Sequence, residues 1–334
     1  MPTRLTIKVP DDYDLRRDVC SYGYFLLHPN NWTPSTRTFS RVFDLAGGPA
    51  AGQIQQPGAG DGPRPGEPLV VRTDRTLARA DKAELERQIT RMLRLDEDAA
   101  HVAAFHKVDS RWKKSGRARL FRSPTFFEDV LKTVSSCNVT WPGTVQMNRR
   151  LCEVCGAGGG FPSAAILAKK RPALLRARCR VGYRDARMVE LAKLVARGGV
   201  KAEWFEDPTT PDDDVHEALL ELPGVGPYAA ANIMQLLGRY GRLPLDTESV
   251  RHGKSILGFE GSSAQIMKRV YEHFAPFGAN AFRSYWFELW VFYEAKAGLA
   301  WTWERDSTGK VFTAAQLKKD NDKPAGRRPK DLPE

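Results

Sequence analysis

The sequence predicts a mainly α-helical protein with a small α+β module at its N-terminus, on the strength of a change of texture along the chain. From Thr125 onward, apolar residues recur at helical spacing, beginning with Phe126, Phe127, Val130, Leu131 and Val134. Before that, short apolar runs are broken by turn residues. The connections between the helical stretches are short, as in an all-α domain.

The N-terminal module is assigned to residues 1–118. The runs Gly23–Leu27 and Arg41–Leu45, separated by a Pro/Asn-rich stretch, read as strands and turns. Residues 46–67 are rich in Gly and Pro with no apolar period, and read as a flexible loop. Leu69–Thr73 reads as a further strand. Asp81 is placed as the cap of a helix from Lys82 to Leu95, whose apolar residues are Leu85, Ile89 and Leu93.

The helical core is assigned to residues 119–304. Beyond the helix opening at Phe126, helices are expected near Thr144–Val154, Ser163–Leu167, Tyr183–Arg197, Val215–Leu222, Pro227–Leu237, Ala264–His273 and Ala281–Ala297. Residues 305–334 carry eight Lys/Arg against five Asp/Glu and read as a polar basic tail.

Charge narrows the function. The formal net charge is +11, from 51 Lys/Arg and 40 Asp/Glu, which favours a polyanionic partner. No apolar run approaches the ~20 residues of a membrane helix, and the first residues lack a signal-peptide apolar stretch. A cytoplasmic or nuclear location is expected. The five cysteines suit a reducing compartment. Cys152 and Cys155 form a CxxC pair with no second pair to complete a metal site, and read as core residues. No cofactor or metal is expected, and a monomer is.

The most informative stretch is Leu222-Pro-Gly-Val-Gly-Pro-Tyr-Ala-Ala-Ala-Asn-Ile233. A helix ends, a hairpin of Gly224, Val225 and Gly226 follows, and Pro227 opens a new helix at the position where its missing N–H costs nothing. Free N–H groups at a helix start can hold a phosphate. A plain packing corner is the alternative. Beyond the hairpin comes Leu243-Pro-Leu-Asp246-Thr-Glu-Ser-Val-Arg251, which sets Asp246 twenty residues after Gly226.

Hairpin and acid together resemble the signature of the helix-hairpin-helix/Gly-Pro-Asp superfamily of DNA glycosylases. Arg119–Glu128 running into Thr133–Asn138 resembles the opening helix of its 8-oxoguanine and alkyladenine branches. Arg180–Arg184 and Pro276–Trp290 are similar to further core segments. The resemblance covers most of the chain. It implies a small antiparallel sheet at the N-terminus and a partner of double-stranded DNA holding a damaged base. Such an enzyme flips the base out at a cost of a few kcal/mol and cuts its N-glycosidic bond.

Within that resemblance Asp246 takes the catalytic role, stabilising an oxocarbenium-like sugar and orienting a water. It also reads as a helix cap, and the two roles are compatible. Where bifunctional members carry a Schiff-base lysine, this chain has Tyr228, and no lysine occurs between Lys201 and Lys254. The expected enzyme is therefore monofunctional. Excision of an alkylated purine is the first expectation. Excision of oxidised guanine or another lesion, and a non-catalytic DNA-binding relative, are the alternatives.

The expected DNA-facing set is Gly224, Val225, Gly226, Tyr228, Asn138 and Arg251. Cys137 and Asn138 fall where the family places the wedge that fills the gap left by a flipped base. The expected base pocket is Tyr228, Trp141, Tyr183 and Trp286, with Phe277 and Tyr285 as further stacking candidates. The run from Lys169 to Arg187, with eight Lys/Arg and one acid, reads as a phosphate-facing surface.

Overall fold

The computed structural model describes residues 2–58 and 64–305. The expected tail, apart from Arg305, and part of the expected Gly/Pro loop lie outside the described residues.

Five strands form one antiparallel sheet in the order β1-β5-β4-β3-β2: β1 Arg4–Ile7, β2 Asn31–Thr33, β3 Thr38–Phe43, β4 Ala50–Gln55 and β5 Leu69–Thr73. Phe39 pairs with Ile54, and Ile54 with Val71. All three are fully buried, so one cross-strand row anchors the sheet to the core. A strand reading and a loop reading are corrected here. Gly23–Leu26 is a 3₁₀ turn, because Tyr24, Phe25 and Leu26 are enclosed by the core and do not line a sheet face. The stretch 46–67 contains β4, whose burial alternates residue by residue in spite of its glycine.

The helices are α1 Leu15–Val19, α2 Arg79–Met92, α3 Ala99–Val108, α4 Phe126–Ser136, α5 Trp141–Cys155, α6 Ala164–Leu167, α7 Pro172–Leu174, α8 Asp185–Ala196, α9 Ala202–Glu206, α10 Asp212–Leu220, α11 Pro227–Leu236, α12 Thr247–Ser255, α13 Ser263–Phe274 and α14 Ala281–Ala297. None is long and apolar enough to cross a membrane. α2 starts at Arg79, so Asp81 is not its cap. The Asp81 carboxylate is buried, where it accepts the Gly47 N–H at 3.1 Å and lies 3.5 Å from Arg75. α5 starts three residues before the expected point, with Pro142 in its first turn.

The interior divides into two clusters. One joins the sheet and its helices to α13, α14 and the end of α11, through residues such as Phe39, Trp112, Phe274 and Trp290. The other packs α4, α5, α8, α10 and most of α11, through residues such as Leu131, Leu151, Met188 and Ile233. Cys152 and Cys155 belong to this second core, as their sequence context suggests.

Buried charges tie the two clusters together. Glu128 on α4 bonds Arg41 of β3 at 2.9 Å and Lys132 at 2.7 Å, with all three side chains buried. Arg91 of α2 bonds Asp129 at 2.8 Å. Burial alone would raise the Glu128 carboxyl, but Arg41 and Lys132 outweigh it and hold it below its ordinary value. These bridges fix the sheet module against α4, whose C-terminal end reaches the site.

Candidate active site and nucleic-acid interface

The hairpin forms as expected between α10 and α11. Gly224 has φ +86°, a conformation that favours glycine. Gly226 caps α11 with no side-chain bond to the helix start, and nothing lies within 4 Å of where its Cβ would be. Among the described residues no side chain accepts from the first N–H groups of α11, which leaves them available to an anion. Val225 is buried beneath the hairpin, so it props the loop from within and presents no side chain to a ligand.

Asp246 is the N-cap of α12. Its Oδ1 accepts the N–H groups of Glu248 at 2.9 Å and Ser249 at 3.1 Å. The Ser249 hydroxyl accepts the Asp246 N–H at 3.2 Å, which completes a capping box. Among the described residues Oδ2 accepts no hydrogen bond. The two backbone bonds lower the carboxyl pKa and burial raises it. Burial is the larger effect and the net shift is upward. Its buried surroundings therefore make it a better base than an exposed aspartate.

Two cavities meet at Asp246 and Tyr228. The inner one has a volume of ≈390 Å³, inside the range of roughly 300–1,000 Å³ common for small-ligand pockets. Its wall is aromatic: Tyr22, Tyr24, Trp141, Tyr285, Trp286 and Tyr293 all contribute. The outer cleft, ≈720 Å³, is lined by Asn138, Tyr183, Arg187, Gly224 and Gly226. Tyr228 is half-buried and borders both. Burial and the nearby Asp246 carboxylate raise its phenol well above the ordinary value, so it stays neutral.

Neighbours hold the inner wall in place. The Trp286 indole N–H donates to the Ser21 carbonyl at 2.8 Å, and its ring stacks on Phe282 and Trp290. A Cβ on Gly23 would meet the Trp141 ring at 3.1 Å, so glycine admits that ring to the wall. The Tyr22 hydroxyl donates to Asn232 Oδ1 at 2.8 Å, and the Tyr24 hydroxyl lies 2.7 Å from Thr133 Oγ1.

Several expected site residues lie elsewhere. Tyr183 is 55% exposed in the outer cleft, where its hydroxyl accepts the Asn138 amide at 3.3 Å, so it is not part of the inner wall. Phe277 lines neither cavity and packs against Phe274. Arg251 is 7% exposed, bonded to Glu248 at 2.6 Å, and stacked on Phe292 with its guanidinium 4.0 Å from the ring centre. This arginine faces the interior and not a phosphate, because Glu248 lies one helical turn away on α12 and captures it.

Asn138 is exposed beyond the end of α4, with φ 50°. Arg184 pins this turn from below, donating to the carbonyls of Val134 at 3.2 Å and Cys137. Within the basic run from Lys169 to Arg187, Arg178, Arg180 and Arg187 are exposed, Arg176 is bonded to Asp185 at 2.9 Å, and Arg184 is buried.

The sequence reading missed Tyr22, Tyr24, Asn232, Glu248 and Tyr293. The cluster Tyr22-Gly-Tyr-Phe was visible as aromatic density, but nothing local to it pointed to α11 and α14. Among the described residues no lysine lines either cavity. Lys254 is exposed in the last turn of α12, and Lys132 is buried beside Glu128.

No protein-family model and no curated protein sequence matches the chain. Solved structures do match. MBOgg1 in complex with a low-affinity DNA ligand is 16% identical with a TM-score of 0.64, over 89% of this chain and 97% of that one. The 3-methyladenine DNA glycosylase of Archaeoglobus fulgidus is 18% identical with a TM-score of 0.62, over 87% and 98%. The 8-oxoguanine glycosylase/lyase of Clostridium acetobutylicum, with DNA containing cytosine opposite 8-oxoguanine, is 17% identical with a TM-score of 0.60, over 90% and 99%. The chain has the helix-hairpin-helix DNA glycosylase fold, with a small antiparallel sheet ahead of its helical core.

Proposed function

We propose that this protein is a monofunctional DNA glycosylase of base-excision repair. It takes a damaged base, foremost an alkylated purine, from duplex DNA into the inner cavity and hydrolyses the N-glycosidic bond. The observation that carries this reading is the position of Asp246: its carboxylate stands where an aromatic-walled cavity opens into a cleft bordered by the hairpin. The fold shared with structures of 3-methyladenine and 8-oxoguanine enzymes supports the same class of reaction.

The chemistry follows from the geometry. The hairpin amides and exposed arginines grip the phosphates without reading sequence. Asn138 and Tyr183, at the cleft mouth, take the space the base vacates. Aromatic stacking, worth about 1–3 kcal/mol per base, offsets the cost of unstacking. An electron-poor alkylated ring gains most from such a wall. As the base departs, positive charge grows on the sugar. The Asp246 carboxylate stabilises it and accepts a proton from the attacking water. Among the described residues no lysine lines either cavity, and a neutral Tyr228 stands in the amine's place, so a Schiff base has no donor there.

The test is a panel of duplexes, each with one lesion, assayed for base release and for strand cleavage with and without alkali. Release of an alkylated purine, with cleavage only after alkali and no adduct trapped by borohydride, is expected. Exclusive release of oxidised guanine would assign the alternative substrate. Cleavage before alkali, with a trapped adduct, would overturn the monofunctional reading. Release of no base would overturn the enzyme reading.

A further inference from the structure

The inner cavity holds a second carboxylate. Glu248 lies two residues past Asp246 on α12 and lines the inner cavity but not the outer cleft. Its two oxygens are in different situations. Oε1 accepts from Arg251 Nε at 2.6 Å and from the Tyr293 hydroxyl. Oε2 accepts no hydrogen bond among the described residues. Arg251 does not line the cavity; its guanidinium is stacked on Phe292 and Tyr293. The ion pair is thus oriented, with the carboxylate toward the cavity and the cation behind it.

We infer that Glu248 is a specificity-determining residue that reads the base, its Oε2 accepting a hydrogen bond from an N–H on the base edge. The inference rests on the reading of the inner cavity as the base pocket. Purines with an exocyclic amine at the edge facing Glu248 bind. Purines with only acceptors or C–H there leave a carboxylate oxygen unpaired and are disfavoured. A hydrogen bond to a charged group accounts for roughly 10- to 100-fold discrimination.

Glu248→Gln gives a sharp test, because Arg251 and Tyr293 are both donors. They claim the amide oxygen, so the amide –NH₂ turns to the cavity, and the atom facing the base changes from acceptor to donor. A role limited to holding Arg251 would change all substrates alike.

The probes are base pairs of compounds differing by one amine: 7-methylguanine with 7-methylhypoxanthine for C2, and 3-methyladenine with 3-methylhypoxanthine for C6. Binding of the free bases to the full chain is followed by quenching of tryptophan fluorescence, since Trp141 and Trp286 line the cavity. Single-turnover excision is measured in parallel from duplexes carrying the C2 pair. In the wild type, at least one pair should show a preference of about 10- to 100-fold for the amine-bearing base. Glu248→Gln should reduce that ratio to near one or invert it. Glu248→Asp, which keeps the charge but withdraws it by one methylene, should give an intermediate ratio and guards against misfolding of the first variant.

Ratios unchanged by either variant, whatever the absolute affinities, would overturn the inference, as would a wild-type cavity that binds none of the four bases. Ratios that shift in binding while no duplex is cut would support Glu248 as the reader and count against the catalytic proposal alone.

Discussion

The hydroxyls of Ser249 and Tyr285 lie 3.0 Å apart, and the same Ser249 hydroxyl accepts the backbone N–H of Asp246. Helix α14 thereby bears on the residue that holds Asp246, the proposed catalytic carboxylate, in place. Ser249→Ala removes the acceptor of the capping box. It should cost about 1–2 kcal/mol of stability and slow single-turnover base release by about 10-fold. Tyr285→Phe leaves the box intact and should slow release by no more than about threefold, on the scale of one neutral hydrogen bond. Denaturant melts and rates on both variants check this. Equal losses in the two would show that the capping box is not what positions Asp246.

The raised pKa of Asp246 has a kinetic consequence. In the proposed mechanism the ionised form is the active one, so release should fall as the pH drops, with a midpoint above the ~3.9 of an ordinary aspartate. Burial is the main cause of the shift. The pH profile of single-turnover release measures it, and a midpoint at or below the ordinary value would contradict the description of the site.

DNA affinity should depend on the hairpin backbone. The space around Gly226 is open in the free protein, so Gly226→Val should fold normally and still weaken duplex binding by about 10-fold, through lost approach of the amides to phosphate. Arg187→Ala removes an exposed cation of the outer cleft and should flatten the slope of log affinity against log salt by about 0.9. Titrations at several salt concentrations decide both. Unchanged affinity in folded Gly226→Val would remove the hairpin from the interface.

Stability should depend on Glu128. Glu128→Ala leaves the buried cations Arg41 and Lys132 unpaired and should cost about 3–5 kcal/mol, read from the shift of a urea transition. The Glu128 carboxyl is depressed in the folded state. Its contribution is therefore present above the unfolded value of ~4.3 and is lost as pH falls through the folded one. The gap in stability between wild type and variant should be full at pH 7 and narrow below pH 4.

Much of this architecture is legible in local patterns. Pro227 after Gly226 marks the start of α11, and Asp246 with Ser249 three residues on marks α12. Both signals lie within one turn of the residues they govern. What escapes local reading is whatever tertiary contact decides. Gly23–Leu26 has an apolar run that suits a strand, yet burial on all sides makes it a 3₁₀ turn. The Gly/Pro-rich stretch hides β4, which exists because β3 and β5 flank it. Arg251 has the composition of a phosphate contact, but Glu248 and Phe292 draw it inward. Tyr22 and Tyr24 stand more than 200 residues from Asp246 and meet it only across the cavity.

The central claim is that Asp246 performs chemistry and is more than the cap of a helix. Asparagine caps helices as well as aspartate does, so Asp246→Asn separates the two roles. The carboxyl is raised in the folded state, which means its charge opposes folding at neutral pH. The variant should therefore melt at or above the wild-type temperature at pH 7. Its duplex affinity should match the wild type, because the carboxylate touches no phosphate. The decisive measurement is single-turnover release of the preferred lesion base by this variant at pH 7. A loss of at least about 10²–10³-fold, with unchanged affinity and a melting temperature no lower than the wild type's, is predicted. Release within a few-fold of wild type would contradict the account.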